Sequence, residues 1–153
     1  MNIRLSTVSR AALGRRAPSR GRNRKRRGAA VVEFAIVAPL FILLVFGMIE
    51  FGRMIMVQQI MTNASREGTR RAVIEGATQT EVENLVTDYL DNASVPGATV
   101  TVTPSDLGNV GFGDPVTVSV SIPFNSVSWI PSPMYLEGAT LGASTIMQAE
   151  RFQ

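Results

Sequence analysis

The amino-acid sequence predicts an α+β protein with a single N-terminal transmembrane helix that extends into an amphipathic helix, followed by a second short helix and a small three-stranded antiparallel sheet. Three observations predict this class. The run from Phe34 to Ile49 carries no charged side chain. Apolar residues recur at helical spacing up to about Ile74 and again after Thr80. From Thr99 onward, apolar residues alternate with hydroxyl residues, as they do in half-buried strands.

Charge divides the chain at residue 28. Residues 1–28 contain ten of the 15 basic residues and no acid, a net charge of +10. From Ala29 onward, the other five basic residues face all 12 acidic ones, a net charge of −7. A change this abrupt indicates segments with different environments or fates. We therefore predict three regions: a basic cytoplasmic leader peptide at 1–28, a transmembrane helix at 29–50 and an extracytoplasmic α+β domain at 51–153.

The predicted membrane span has two alternatives. About 20 residues at about 1.5 Å each cover the roughly 30 Å hydrocarbon core of a bilayer. A buried core helix would need apolar surroundings that the rest of the chain does not supply. A cleaved secretory signal would need a small-x-small site, which the end of the run, Val45 to Glu50, lacks. We expect the run to stay in the mature chain as an anchor.

The basic residues set the expected orientation. Positive charge on the N-terminal side of a span keeps that side in the cytoplasm, so the C-terminal domain should lie outside. This predicts a single-pass protein of the inner (cytoplasmic) membrane, with lipid as a partner. Arg22–Arg27 also has the composition of a nucleic-acid patch. Because the cluster adjoins the span, membrane orientation explains it, and no nucleic acid is expected as a partner.

Two helices are expected beyond the span. The first continues the span to about Ile74 and stops at Gly76, with Pro39 introducing a kink or a locally loosened turn inside the membrane part. The second begins with Thr80 as N-cap and Glu83 at the third position of a capping box. The apolar stripe of the first helix is Met54, Val57, Met61, Ala64, Gly68 and Ala72, with Gln58, Thr62, Arg66, Thr69 and Arg70 on other faces. The stripe of the second is Val82, Leu85, Val86, Tyr89 and Leu90.

Three strands are expected in the last third of the chain. Each has one packed face and one polar face, and the loops between them have no crossover helices, so an antiparallel sheet is favoured. The packed residues are Val100 and Val102, then Val116, Val118, Val120 and Ile122, and in a weaker run Leu141, Ala143, Thr145, Met147 and Ala149. The amphipathic helices should cover this face.

The composition restricts the chemistry. The chain has no His and no Cys, which excludes disulfides, the usual zinc sites and nucleophile mechanisms based on either residue. We predict no enzymatic activity, no catalytic residue, no metal and no cofactor. An acidic site formed by Glu81, Glu83, Asp88 or Asp91 is the enzymatic alternative, although charge on the solvent face of a short helix is ordinary.

One motif at the membrane threshold suggests a function. Arg26 to Phe34 reads RRGAAVVEF, a Gly, four residues, then Glu and an aromatic residue. It resembles a prepilin peptidase site of the Flp type. The resemblance implies processing between Gly28 and Ala29, which makes Glu33 the fifth residue of the mature chain. A Gly has no side chain and can enter a narrow cleft in an extended conformation.

The wider stretch from Arg26 to about Arg71 resembles the TadE-like family of tight-adherence (Flp) pilus pseudopilins. IEFGR at Ile49–Arg53 and TNASREGTR at Thr62–Arg70 also match. The resemblance implies a minor pilin or pseudopilin with a pilin-like outer domain, located in the inner membrane, with an extracellular pilus as the alternative location. Its partners would be a prepilin peptidase, other pilin or pseudopilin subunits and the pilus assembly platform. The alternative is an uncleaved bitopic anchor whose outer domain binds an envelope partner.

Glu33 and Phe34 are the candidate assembly and recognition residues. A carboxylate inside a membrane helix costs roughly 2–3 kcal/mol at mid-span and less near the interface. Cleavage would create an α-ammonium at Ala29, largely charged at neutral pH. The resemblance implies an ion pair between Glu33 and the Ala29 amine of a neighbouring subunit. The alternative is that Glu33 reaches the lipid headgroups.

Three further features have more than one interpretation. Glu50 and Arg53 are expected to mark the exit from the bilayer as a local i, i+3 pair. The small residues at 64, 68 and 72 could admit another helix or pack on the sheet. Trp129, Pro131, Pro133 and Tyr135 form an apolar loop that is either a contact surface or a cover for the core.

Overall fold

The computed structural model describes residues 22–130 and 135–150. Residues 1–21 of the predicted leader therefore lie outside the described residues. The described chain is an α+β fold, as the sequence predicted, with two helices and three strands. They are α1 Arg22–Ala72, α2 Gln79–Asn92, β1 Thr99–Thr103, β2 Pro115–Pro123 and β3 Thr140–Gln148, with short 3-10 turns at Leu107–Asn109 and Phe124–Ser126. The chain forms two compact units, one ending at Phe41 and the other beginning at Ile42.

Helix α1 joins the predicted span and the amphipathic helix in one element of 51 residues. It continues through Pro39. It ends at Ala72, two residues before the predicted end, with Arg70 and Arg71 in the last turn, where positive charge favours the helix dipole. The following turn contains Gly76 at a φ of +75°, a left-handed conformation that glycine adopts readily.

Helix α2 begins two residues earlier than predicted, so the assignment of Thr80 as N-cap is wrong. Thr78 has the extended conformation of a cap, and its side-chain oxygen accepts a hydrogen bond from the Glu81 amide at 3.3 Å. Thr78 and Glu81 have the same Thr-x-x-Glu spacing as Thr80 and Glu83, so the sequence offers two capping boxes. The Glu81 carboxylate forms an ion pair with Arg71 at the end of α1, so the first turn of α2 contacts the preceding helix.

The sheet is antiparallel with the order β1-β2-β3, as predicted. In its central strand the predicted residues Val116, Val118, Val120 and Ile122 are all buried. The alternate positions of β1 and β2 are Thr and Ser on the other face, for example Thr101 opposite Ser119. One face of the sheet is therefore packed and the other is rich in hydroxyl groups.

Both helices cover the packed face. Gly68 is at the tightest crossing, since a Cβ there would overlap Val86 of α2 and crowd Val118 of β2. The small-residue stripe at 64, 68 and 72 is thus used for packing inside the domain. The core contains Val57, Met61, Ala64, Ala72, Ala77, Val82, Val86, Leu90, Val95, Val102, Leu107, Val110, Val116, Val118, Val120, Ile122, Phe124, Val127, Leu141 and Ala149.

The buried face of α1 is wider than its apolar stripe. Ser65 and Thr69 are fully buried, although Thr69 was expected on another face. The Ser65 hydroxyl lies 2.7 Å from the hydroxyl of Thr145 in β3, and the Thr69 hydroxyl donates to the Ser65 carbonyl at 2.6 Å. These hydrogen bonds satisfy the buried polar groups where α1 meets β3.

Candidate functional site

The first described part of the candidate site, Gly28 to Phe34, lies on α1. A Cβ added at Gly28 would meet no atom within 4 Å outside the local helix backbone. Glycine in a helix interior costs roughly 0.5–1 kcal/mol relative to alanine. Packing among the described residues therefore gives no reason for glycine at this position.

Glu33 and Phe34 project from the same segment. Glu33 is exposed, and 72% of Phe34 is exposed. Ala29 and Glu33 are four residues apart and so lie on one face of the helix, one turn from each other. The structure thus places the predicted processing residues and the predicted assembly residues together on an accessible stretch of a single helix.

The apolar segment that follows is mostly exposed. α1 is long and apolar enough between Gly28 and Ala72 to cross a membrane, and none of its most apolar 18-residue stretch is buried within the chain. The segment is not a core helix of this fold, which removes one of the two alternatives for it. The large apolar side chains of the segment that are more than half exposed are Val31, Val32, Phe34, Ile36, Val37, Leu40, Phe41, Ile42, Leu44 and Met48. A surface of this size requires lipid or other apolar helices around it.

At the end of the segment, Arg53 is buried rather than solvated. Its Nε donates to the Val127 carbonyl at 2.8 Å, and a terminal guanidinium nitrogen donates to the Ser94 carbonyl at 2.9 Å. The guanidinium also lies 4.9 Å from the centre of the Trp129 ring. Burial lowers the pKa of Arg53 from its ordinary value. Arg53 thereby ties α1 to the loops that follow α2 and β2.

Glu50 is also buried, with 1% of its surface exposed, and its carboxylate accepts a hydrogen bond from the Tyr135 amide at 2.9 Å. The sequence predicted a local pair of Glu50 with Arg53 at the bilayer exit. The structure shows instead that both reach backbone groups far along the chain. Their i, i+3 spacing carries no signal of these partners, which lie 74 and 85 residues away.

The acidic alternative on α2 is engaged in local contacts. Glu81 pairs with Arg71 at 2.7 Å, and Glu83 accepts a hydrogen bond from the Gln79 side chain at 2.7 Å. Asp88 and Asp91 are exposed. Within residues 22–130 and 135–150, no three His, Cys, Asp or Glu side chains are grouped in a way that could hold a metal ion.

Comparison with known proteins identifies the segment that carries these features. Residues 28–70 match the family model described as TadE-like protein. The match begins at Gly28 and ends at Arg70, which confirms the resemblance inferred from the sequence over this part of the chain. Neither the curated proteins nor the solved structures contain a significant match.

Proposed function

From the TadE-like domain at residues 28–70, which indicates involvement in a Tad/Flp pilus system, we propose that this protein is a minor pilin or pseudopilin of tight-adherence pilus assembly. A prepilin peptidase would process it, and it would assemble through its membrane helix. The observation that carries the proposal is that the matched domain starts at Gly28 and contains a membrane-length helix whose most apolar 18-residue stretch is not buried by the described residues.

The proposed processing separates two oppositely charged parts. Cutting between Gly28 and Ala29 removes the ten basic residues that orient the span and leaves a mature chain with a net charge of −7. It also creates a free amine at Ala29. Exposure of Gly28 on α1 supports access by a protease at the membrane face.

The proposed assembly uses the bare helix. In lipid, apolar side chains gain little from association, so helices associate through close packing and polar contacts. Glu33, one turn from the new N-terminus, is the polar group positioned to pair with the Ala29 amine of a neighbouring subunit. Such a pair offsets the cost of a carboxylate in the membrane and fixes the axial register between subunits.

The protein itself has a structural role in this proposal and performs no catalysis. Its proposed partners are the prepilin peptidase, other pilin or pseudopilin subunits, the assembly platform and the membrane lipid. The ion pair of Glu81 and the hydrogen bond of Glu83 support this assignment, because they account for two of the four acids on α2 as surface contacts.

The test is to co-express the full chain with a cognate prepilin peptidase and to measure its intact mass and N-terminal sequence. We expect a mature chain that begins at Ala29, and co-expression with an inactive peptidase should leave the mass unchanged. A full-length mass with the active enzyme would favour the uncleaved bitopic anchor. A cut after residue 45 would instead identify a secretory signal and contradict the proposal.

A further inference from the structure

The segment that follows β2 packs against the membrane-exit part of α1. We call residues 127–130 and 135–136 the exit loop. The Tyr135 hydroxyl donates a hydrogen bond to the Leu43 carbonyl at 3.1 Å. The Tyr135 ring lies against Gly47, where an added Cβ would come within 3.2 Å of it. The Tyr135 amide donates to Glu50. Residues 43, 47 and 50 lie on one face of the helix, so this face holds Tyr135 along two turns.

These contacts place Tyr135 at the level of the apolar run. Leu43 is seven residues before Glu50, which corresponds to roughly 10 Å along the helix axis. A bilayer that ended at Leu43 would leave a span from Ala29 of only about 22 Å, shorter than the roughly 30 Å core. It would also leave the exposed side chains of Leu44 and Met48 in water. The medium that surrounds the run must therefore also surround Tyr135.

The Tyr135 hydroxyl is hydrogen-bonded, as an apolar medium requires. A hydroxyl group in an apolar environment needs a hydrogen-bond partner, and Tyr135 finds one in a helix carbonyl. Closer to the C-terminal end of α1, the exit-loop residue Trp129 lies against the Arg53 guanidinium and exposes 65% of its surface. Tyr and Trp, each with an apolar ring and one polar atom, are enriched at membrane interfaces.

We propose that the exit loop is a second membrane contact, with Trp129 at the headgroup level of the outer leaflet and Tyr135 deeper, beside the span. The occupant of this surface is lipid. The proposal rests on the proposed insertion of α1 in a bilayer, and it adds that the outer domain is held against the membrane by its own loop. Arg53 and Glu50 fix the loop to α1 from the domain side.

The chain is suited to a direct test because Trp129 is its one tryptophan. The full-length protein is reconstituted in phosphatidylcholine vesicles whose acyl chains are brominated either near the glycerol or near the chain end, and tryptophan emission is measured. In a Trp129→Phe background, Tyr135→Trp reports the deeper site. Phe46→Trp serves as the control inside the span, and Phe112→Trp as the control beside the far end of the sheet.

We expect bromine near the glycerol to quench Trp129 more than bromine near the chain end does. For Tyr135→Trp, the quenching by bromine near the chain end should be stronger than it is for Trp129. Phe112→Trp should be quenched by aqueous acrylamide and by neither lipid. Both orientations of the reconstituted protein give the same bromine quenching, since each leaflet contains the brominated lipid, and acrylamide is included on both sides of the vesicles.

The remaining outcomes separate the two ideas. If Phe46→Trp is quenched by bromine but Trp129 responds only to acrylamide, the exit loop is in water, and the inference falls while the anchor stands. If Trp129 is shielded from both quenchers, protein covers the loop, as in contact with a second copy, and the inference also falls. If Phe46→Trp is not quenched either, α1 is not in the bilayer, and the inference falls with the proposed anchor. Failure of cleavage at Gly28 would not affect this experiment, because the uncleaved chain is what is reconstituted.

Discussion

The four glycines of α1 have three kinds of surroundings. A Cβ at Gly28 or Gly52 would contact nothing within 4 Å, one at Gly47 would press on the Tyr135 ring, and one at Gly68 would overlap Val86. A substitution at each position therefore tests a different property. Gly28 and Gly52 form a matched pair: both are on the same helix and open, but only Gly28 stands at the proposed cleavage site.

We predict that Gly28→Val blocks processing while membrane insertion continues. The branched side chain should not fit an extended cleft, whereas it leaves the charge and the apolar character of the segment unchanged. Gly52→Val adds the same side chain to another open position of α1 and should be processed like the parent. Both variants are compared by gel shift and intact mass after co-expression with the peptidase. Normal processing of Gly28→Val would show that this glycine is not the recognition residue.

We predict that Glu33→Ala leaves cleavage largely intact but impairs assembly. Removal of the carboxylate lowers the cost of insertion, so the amount of protein in the membrane should hold or rise. It also leaves the Ala29 ammonium without its proposed partner, and losing one member of a buried pair commonly costs about 3–5 kcal/mol, less where headgroups substitute. Even the lower figure exceeds a tenfold loss in association.

Crosslinking reports this loss directly. Val31 and Ile36 are exposed beside Glu33, and the parent chain has no Cys, so Val31→Cys and Ile36→Cys give single reactive sites. Glu33→Asp is the matched control, since it keeps the charge and should retain part of the crosslinking. If Glu33→Ala crosslinks and supports pilus formation as well as the parent, the carboxylate reaches the headgroups and the ion-pair mechanism is wrong.

At this scale the sequence predicts residues whose signal is local. Gly28, Ala29, Glu33 and Phe34 were predicted from their spacing before an apolar run, and their roles stay predictions. The partners of Arg53 could not be recognised in that way, because they are backbone carbonyls in distant loops and any residue supplies a carbonyl. Only the fold brings such groups to a buried guanidinium.

Among the elements, the crossing of α1 over α2 and β2 depends on the absence of a side chain at Gly68. We predict that Gly68→Ala destabilises the domain, because overpacking of a tight core costs roughly 1–3 kcal/mol and exceeds the gain of up to about 1 kcal/mol from helix propensity. Gly52→Ala adds the same methyl group to an open position and should be neutral or slightly stabilising. Urea unfolding of both variants in detergent measures the difference. Equal stability would mean that the helices shift apart without cost.

Element types were predictable here and element boundaries were less so. Alternation of Val with Thr or Ser gives β2 a signal of period two over its whole length, and the structure buries one set of these residues. The start of α2 was misplaced because two Thr-x-x-Glu pairs are two residues apart, and the choice between them involves Arg71, outside the helix. The buried Ser65 and Thr69 were missed because a polar residue is expected outside unless its partner, here on β3, is known.

For the molecule as a whole, the exposed apolar run lies between the basic N-terminal segment and the acidic C-terminal part of the chain. The buried core of the C-terminal domain takes its α1 residues from Val57 onward, with the partly buried Met54 packed against it, and none of the described core residues comes from the run from Phe34 to Ile49. The domain can therefore be complete while the run remains available to lipid and to other subunits. The ten basic residues stand before that run, and the acidic part of the chain follows it.

We predict from this arrangement that the domain after Arg53 lies outside the cytoplasm. Moving ten positive charges across the membrane is opposed, whereas the acidic outer part has no comparable barrier. A periplasmic reporter fused after Gln153 should be active, and a cytoplasmic reporter at the same position should be silent. The control is the same pair of reporters fused directly after Arg27, without the span, where the pattern should be reversed. A cytoplasmic signal at Gln153 with this control intact would invert the orientation. Ala29 and Glu33 would then stand at the wrong face for the proposed processing, and the exit loop would meet the inner leaflet instead of the outer one.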